Sequence, residues 1–177
     1  MPITISGSTG IAGVDGSAST PAVQGTDTNT GVYYPGADRV GIATGGVQRG
    51  EFDASGNFLF NSGYGSVATA YGCRAWVNFN GQGTVTIRAS GNVTSITDNG
   101  VGDYTVNFTN AMPDTNYSFV GFNRKDNDLN DGIVAVNSLA SSTKITSAVR
   151  VYSRYRDNTA AGTGPFDSGE VNVIVMR

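Results

Sequence analysis

The 177-residue chain has no histidine, one cysteine, five prolines and two lysines. Without histidine it lacks the commonest general base and the commonest transition-metal ligand. A histidine-containing catalytic triad is therefore excluded. The single Cys73 excludes an intrachain disulfide framework. With only Arg74 beside it, Cys73 reads as a small buried hydrophobe at the start of a strand, not as a reactive thiol. Charge is scarce too: 14% of residues are charged, against about 25% in ordinary soluble domains. The net charge is −3, and the only lysines are Lys125 and Lys144. Nothing there would release counterions from a phosphate backbone, so nucleic acid is not an expected partner. There is no run of ~18 apolar residues and no basic stretch leading into an apolar one. The expectation is a chain with neither a signal peptide nor membrane insertion.

Glycine is abundant instead, and 14 of its 25 copies lie in residues 1–65. Each costs backbone entropy and supplies no side chain to pack. The large apolar residues of this segment come in short clusters separated by Pro35-Gly36, Gly45-Gly46 and Ser55-Gly56-Asn57. Strands of roughly 3–6 residues joined by tight turns make no stable free-standing sheet. Three identical chains wound around one axis would let each short strand bury its apolar side against two others. The segment thus predicts an intertwined trimeric β-stalk over residues 1–65, with Val32, Tyr33, Val40, Ile42, Phe52, Phe58 and Phe60 in its shared core. Within it, residues 1–30 read as extended chain that docks to a neighbouring protein, or as a loosely ordered N-terminus.

Residues 66–72, SVATAYG, read as a connector. From Cys73 the pattern becomes alternation: Cys73, Ala75, Val77 and Phe79 fall on one face, and Val85, Ile87 and Ala89 follow after Gly81-Gln82-Gly83 as the second arm of a hairpin. Further strands are predicted at 92–97, 104–109, 117–123, 133–138, 144–149, 150–156 and 171–176, with turns at Asp98-Asn99-Gly100 and Met112-Pro113-Asp114. Short strands at this spacing predict an antiparallel β-sandwich knob over residues 73–177. No window carries a 3.6-residue apolar period, so the fold class is all-β.

The run Gly25-x-Asp27-Thr28-Asn29-Thr30-Gly31-Val32-Tyr33, with Pro35-Gly36-Ala37-Asp38, Gly45-Gly46-Val47 and Asp53-Ala54-Ser55-Gly56-Asn57, resembles the stalk segment of many bacteriophage tail fibres and related virion proteins. A second stretch, from Ala75-Trp76-Val77-Asn78-Phe79-Asn80-Gly81 through Gly91–Gly100 to Asp103–Phe108, is similar to a C-terminal module of structural proteins in phages of cyanobacteria and other aquatic bacteria. These resemblances imply a homotrimeric virion protein assembled in the host cytoplasm. They also imply a tail fibre attaching to a host surface glycan and held to another virion protein by its N-terminal segment. A capsid decoration protein (head fibre, knob or cement protein) is the alternative, and the short chain favours it. A glycan-cleaving tailspike is a third reading.

Three features are candidates for a site. Arg150, Tyr152, Arg154 and Arg156 share one strand face, opposite Val149, Val151 and Tyr155. Guanidinium forks suit carboxylate or phosphate on anionic glycans, and phenol faces stack on sugars. The competing and favoured reading pairs these arginines with acids such as Asp157, Asp167 or Glu170 of the same or a neighbouring subunit, since symmetric assemblies commonly use arginine at their interfaces. Asp126, Asp128 and Asn130 lie in an Asn/Asp-rich run that could contact a receptor. Asp126, Asp128 and Asp131 could also serve as glycan-cleaving acids or surround calcium. The glycine of that run is one place late for an EF-hand, and Asn137 stands where a bidentate glutamate is needed, so a polar hairpin loop accounts for it better. Trp76 reads as packed against a sheet or subunit in preference to a sugar platform. No catalytic residue, metal or cofactor is expected.

Overall fold

Alternation and turn chemistry govern the whole chain, and every regular element among the described residues is a β-strand. A computed structural model of the chain describes residues 5–6, 10–11, 13–124, 133–137, 144–156 and 163–177, with side chains over 13–124, 144–154 and 164–177. The chain divides into two units, Met1–Ala70 and Tyr71–Arg177.

In the first unit, β1 (Ile5–Ser6) pairs with β2 (Gly10–Ile11). A six-stranded antiparallel meander follows: β3 (Val23–Gln24), β4 (Gly31–Tyr33), β5 (Val40–Thr44), β6 (Val47–Phe52), β7 (Phe58–Phe60) and β8 (Ala68–Thr69). Each strand pairs with its sequence neighbour, so the backbone ladders close within one chain. The two-residue turn between β5 and β6 holds Gly45 at φ 59° and Gly46 at φ 74°, the left-handed pair that matches hairpin twist. Between β6 and β7, the Asp53 carboxylate accepts the amides of Ser55 and Asn57 at 2.9 Å each and fixes the next turn. The strand β8 lies inside the predicted connector, and the break between units falls just after it.

Register sorts the side chains of this sheet. Val23 faces Val32, Val32 faces Ile42, Val40 faces Phe52, Phe52 faces Phe58 and Gly50 faces Phe60. All of these therefore share one face, apolar over this stretch and ending at Thr44, which accepts from Arg49 Nε at 2.9 Å. Tyr33 lies on the other face, apart from the other six residues expected in the shared core. It pairs in register with Gly41, where a Cβ would come within 2.6 Å of its ring. Glycine leaves the space that the ring fills. That face also buries Ala43 and Glu51, whose carboxylate accepts from Arg39 and Gln48. Burial and the Glu51 charge push the Tyr33 phenol pKa up.

The second unit holds β9 (Cys73–Asn80), β10 (Thr86–Gly91), β11 (Val93–Gly100), β12 (Asp103–Phe108), β13 (Ser118–Arg124), β14 (Ile133–Asn137), β15 (Lys144–Ile145), β16 (Ala148–Arg156), β17 (Thr163–Pro165) and β18 (Glu170–Met176). One sheet runs β10-β9-β18-β13 and another β11-β12-β16-β14, with β15 and β17 also paired to β16. Alternate residues of both sheets meet in one core: Ala75, Val77, Phe79, Val171, Val173 and Val175 from the first, Tyr104, Val106, Phe108, Val149 and Val151 from the second. Phe79 and Tyr104 meet edge to face at 5.1 Å, and Phe108 and Tyr117 at 5.8 Å. Burial pushes the Tyr117 phenol up to about 12, and its hydroxyl lies 2.9 Å from the Ala148 carbonyl.

Four local expectations need correction. Cys73 is exposed, not buried. The register of β9 on β18 slips between Ala75 and Cys73, which turns the first residue of the strand outward. Ala89 likewise leaves the core face, because a bulge after Ile87 displaces Arg88. Arg88 then reaches the carbonyls of Phe79 and Gly169. The turn expected at Asp98-Asn99-Gly100 is strand, and the chain reverses at Val101-Gly102, with Gly102 at φ 65°. The strands expected at 144–149 and 150–156 divide earlier, at Thr146-Ser147, so Ala148–Arg156 is a single strand.

Candidate functional site

The long strand β16 presents the predicted stripe. Val149, Val151 and Ser153 point inward and are fully buried, so Arg150, Tyr152 and Arg154 stand on the outer face. In register, Asp103 lies opposite Tyr152, and Thr105 lies opposite Arg150. This geometry gathers three side chains on one carboxylate. The Arg150 guanidinium grips both Asp103 oxygens, with its Nε donating to Oδ1 at 2.8 Å. The Tyr152 hydroxyl donates to Oδ2 at 2.6 Å. Asn99 Nδ2 reaches Oδ1 at 3.3 Å and Thr105 Oγ1 at 2.9 Å. The Arg150 guanidinium also lies 5.6 Å from the Tyr152 ring centroid.

The electrostatics follow from this clamp. Arg150 above all, then Tyr152 and Asn99, hold the Asp103 carboxyl below the usual carboxylate range against the opposing effect of burial. The carboxylate in turn raises the pKa values of Arg150 and Tyr152. At neutral pH the cluster is an ion pair with a protonated phenol. It offers neither a nucleophile nor a poised general base.

Arg150 thus pairs with an acid of its own chain, and that acid is Asp103 instead of the three named from the sequence. Asp167 accepts from the Gly102 amide and the Tyr104 hydroxyl at 2.8 Å each. Glu170 lies 3.9 Å from Arg124 and accepts from Asn172 at 3.2 Å. Asp157 is outside the described residues. Arg154 is exposed, and no described residue hydrogen-bonds or ion-pairs with its side chain. The Arg156 backbone pairs with Ile133 and Thr163, while its side chain is outside the described set. Asp126, Asp128 and Asn130 also lie outside the described residues.

Around the clamp the outer face is amide and hydroxyl. Asn107 Nδ2 donates to Ser95 Oγ at 3.1 Å and to Thr97 Oγ1 at 3.0 Å. A separate cleft of about 580 Å³ is lined by Cys73, Arg74, Asn92, Thr109, Asn110, Ala111 and Met112. Asn92, at φ 57°, spans its floor: its side chain accepts from the Asn110 amide at 2.7 Å and donates to the Arg74 carbonyl at 3.0 Å.

The first unit carries a surface of opposite character. Val23, Val40, Ile42, Phe52, Phe58 and Phe60, all on the one apolar face, are 40–58% exposed. Together they leave roughly 500 Å² of apolar area open, near the top of what single chains usually carry. Its signal in the sequence was the glycine-rich alternation itself.

Among the described residues no group of three or more His, Cys, Asp or Glu side chains could hold a metal ion. No helix of the described residues is long and apolar enough to cross a membrane. No family model, curated protein or solved structure matches the chain.

Proposed function

We propose that the chain is a phage virion structural protein, a homotrimer whose first unit is a β-stalk and whose second unit is a β-sandwich knob. One observation carries the reading: the sheet of the first unit closes its ladders within the chain yet leaves a whole apolar face open to water. Among the described residues, apart from Pro21, its buried apolar residues are Tyr33 and Ala43, against fifteen in the second unit. Identical faces brought together by a closed symmetry supply the missing core. The stalk-like motifs between Gly25 and Asn57 support the virion setting.

The function that follows is host attachment as a tail fibre, with the outer face of β16 as the contact to surface polysaccharide. Arg154 is its available cation, and Tyr152 presents a phenol beside it. Three copies on one particle would multiply weak contacts by ~10²–10⁴ without any new one. The alternative, a capsid decoration protein, gains from the Asp103 clamp, because Arg150 and the Tyr152 hydroxyl are already satisfied inside the chain. Immunogold labelling of intact virions separates the two. Label at the tail is the expected result, and label on the capsid overturns the fibre assignment. An Arg154→Ala, Arg156→Ala double variant is expected to adsorb weakly to host cells. Unchanged adsorption leaves the stripe a structural role only.

A further inference from the structure

The outer face of the sheet β10-β9-β18-β13 carries an apolar row that the proposed function does not use. Trp76, Ile174 and Val120 lie directly opposite one another across three adjacent strands. Phe122 and Met176 stand two residues along β13 and β18 on the same face. All five are 40–60% exposed. The inward alternates Val77, Val173 and Val175 fill the core, and the outward face of β9 and β18 is apolar at Trp76, Ile174 and Met176. Gly91 makes room for the indole: a Cβ there would come within 2.4 Å of Trp76 Nε1. Beside the row runs a polar border, in which Asn78 Nδ2 donates to Asn172 Oδ1 at 2.7 Å and Asn172 Nδ2 to Glu170 Oε1 at 3.2 Å. An aromatic centre with an amide and charged rim is the anatomy of a protein interface.

We infer that this row docks against a second copy of the same chain, within the trimer proposed above, on which the inference rests. Area selects that occupant. The row offers about 450 Å² of apolar surface, roughly half of the about 800 Å² per partner that a free-standing complex needs. Two untethered knobs would separate at ordinary concentrations. Knobs joined through their stalks meet at an effective concentration in the ~millimolar range, where half the area suffices. The rim also suits a like partner, since the Asn78 and Asn172 amides both donate and accept.

Trp76 is the only tryptophan, so its fluorescence reads the row directly. The full-length chain is measured by light scattering and acrylamide quenching on one sample, beside Val120→Asp and, should that variant misfold, Phe122→Ser. The expected result is a trimeric wild type in which Trp76 is quenched several-fold less readily than in a variant of the same mass. A trimer whose Trp76 is quenched equally in wild type and variant overturns this inference and leaves the trimer standing, as would a different partner meant for the row. Protection of Trp76 in a monomeric wild type also overturns it, because the cover would then be intramolecular. A monomer with accessible Trp76 removes the trimer and the inference together.

Discussion

Phe52→Ser tests how much the open face of the first unit contributes to association. In the single chain Phe52 is 51% exposed, and its ring centroid lies 5.4 Å from that of Phe58. Within one chain, loss of this cross-strand aromatic pair costs ~0.5–1 kcal/mol. In the proposed trimer the larger effect lies between chains. About half of a side chain that buries ~200 Å² when fully covered is still open to water. Covering that ~100 Å² contributes ~2.5 kcal/mol per chain, or about 7.5 kcal/mol per trimer. At tenfold per 1.4 kcal/mol, the trimer association constant falls by about five orders of magnitude. That constant scales with the square of concentration, so the dissociation midpoint rises roughly 300-fold. Sedimentation equilibrium over a dilution series measures the shift. Ser55→Ala, at the adjoining turn, is the control and leaves the midpoint in place. Phe52→Leu keeps most of the apolar area and shifts it by less than about tenfold. An unchanged midpoint in Phe52→Ser would refute the reasoning, because the face would then be open in the assembled protein as well.

Other consequences concern the second unit. Asp103 is held below its ordinary value, so its clamp stabilises fully above about pH 4 and the contribution is lost as pH falls through the lower folded value. Melting between about pH 5 and pH 2 should show an acid limb that flattens in Asp103→Asn, and a limb unchanged in the variant would contradict the assignment. At neutral pH the same substitution should cost about 1–3 kcal/mol, read from urea unfolding. Gly81→Ala is expected to destabilise by about 1–3 kcal/mol, because its Cβ would meet Tyr104 Oη at 2.4 Å and the Ser168 carbonyl at 3.0 Å. Gly72→Ala, with nothing within 4 Å, should be close to neutral in the same assay.

Strands that bury one face were legible from residue type alone. Val77 and Phe79 flank Asn78, Val149 and Val151 flank Arg150, and period-2 alternation has one structural solution. Legibility failed where both faces were apolar or where pairing decided the outcome. Val32 and Tyr33 are adjacent and both apolar, so only the gap at Gly41 on the neighbouring strand assigns Tyr33 to the inner side. The segments around Val120 and Ile174 are predicted as strands, and nothing local separates their outward row from their inward one. Asp103 stands just before the strand predicted at 104–109 and carries no predicted role. Its role depends on the register that sets β12 against β16, which no single stretch of sequence contains. Bulges at Arg74 and Arg88 moved Cys73 and Ala89 outward for the same reason.

The most direct measurement of the central claim is the native mass of the unmodified chain at micromolar concentration, joined to hydrogen exchange of the first unit. The account predicts a particle of three times 18.3 kDa with protected amides across β4 to β7 that lose protection on dilution to monomer. A particle of 18.3 kDa with those amides still protected would contradict it.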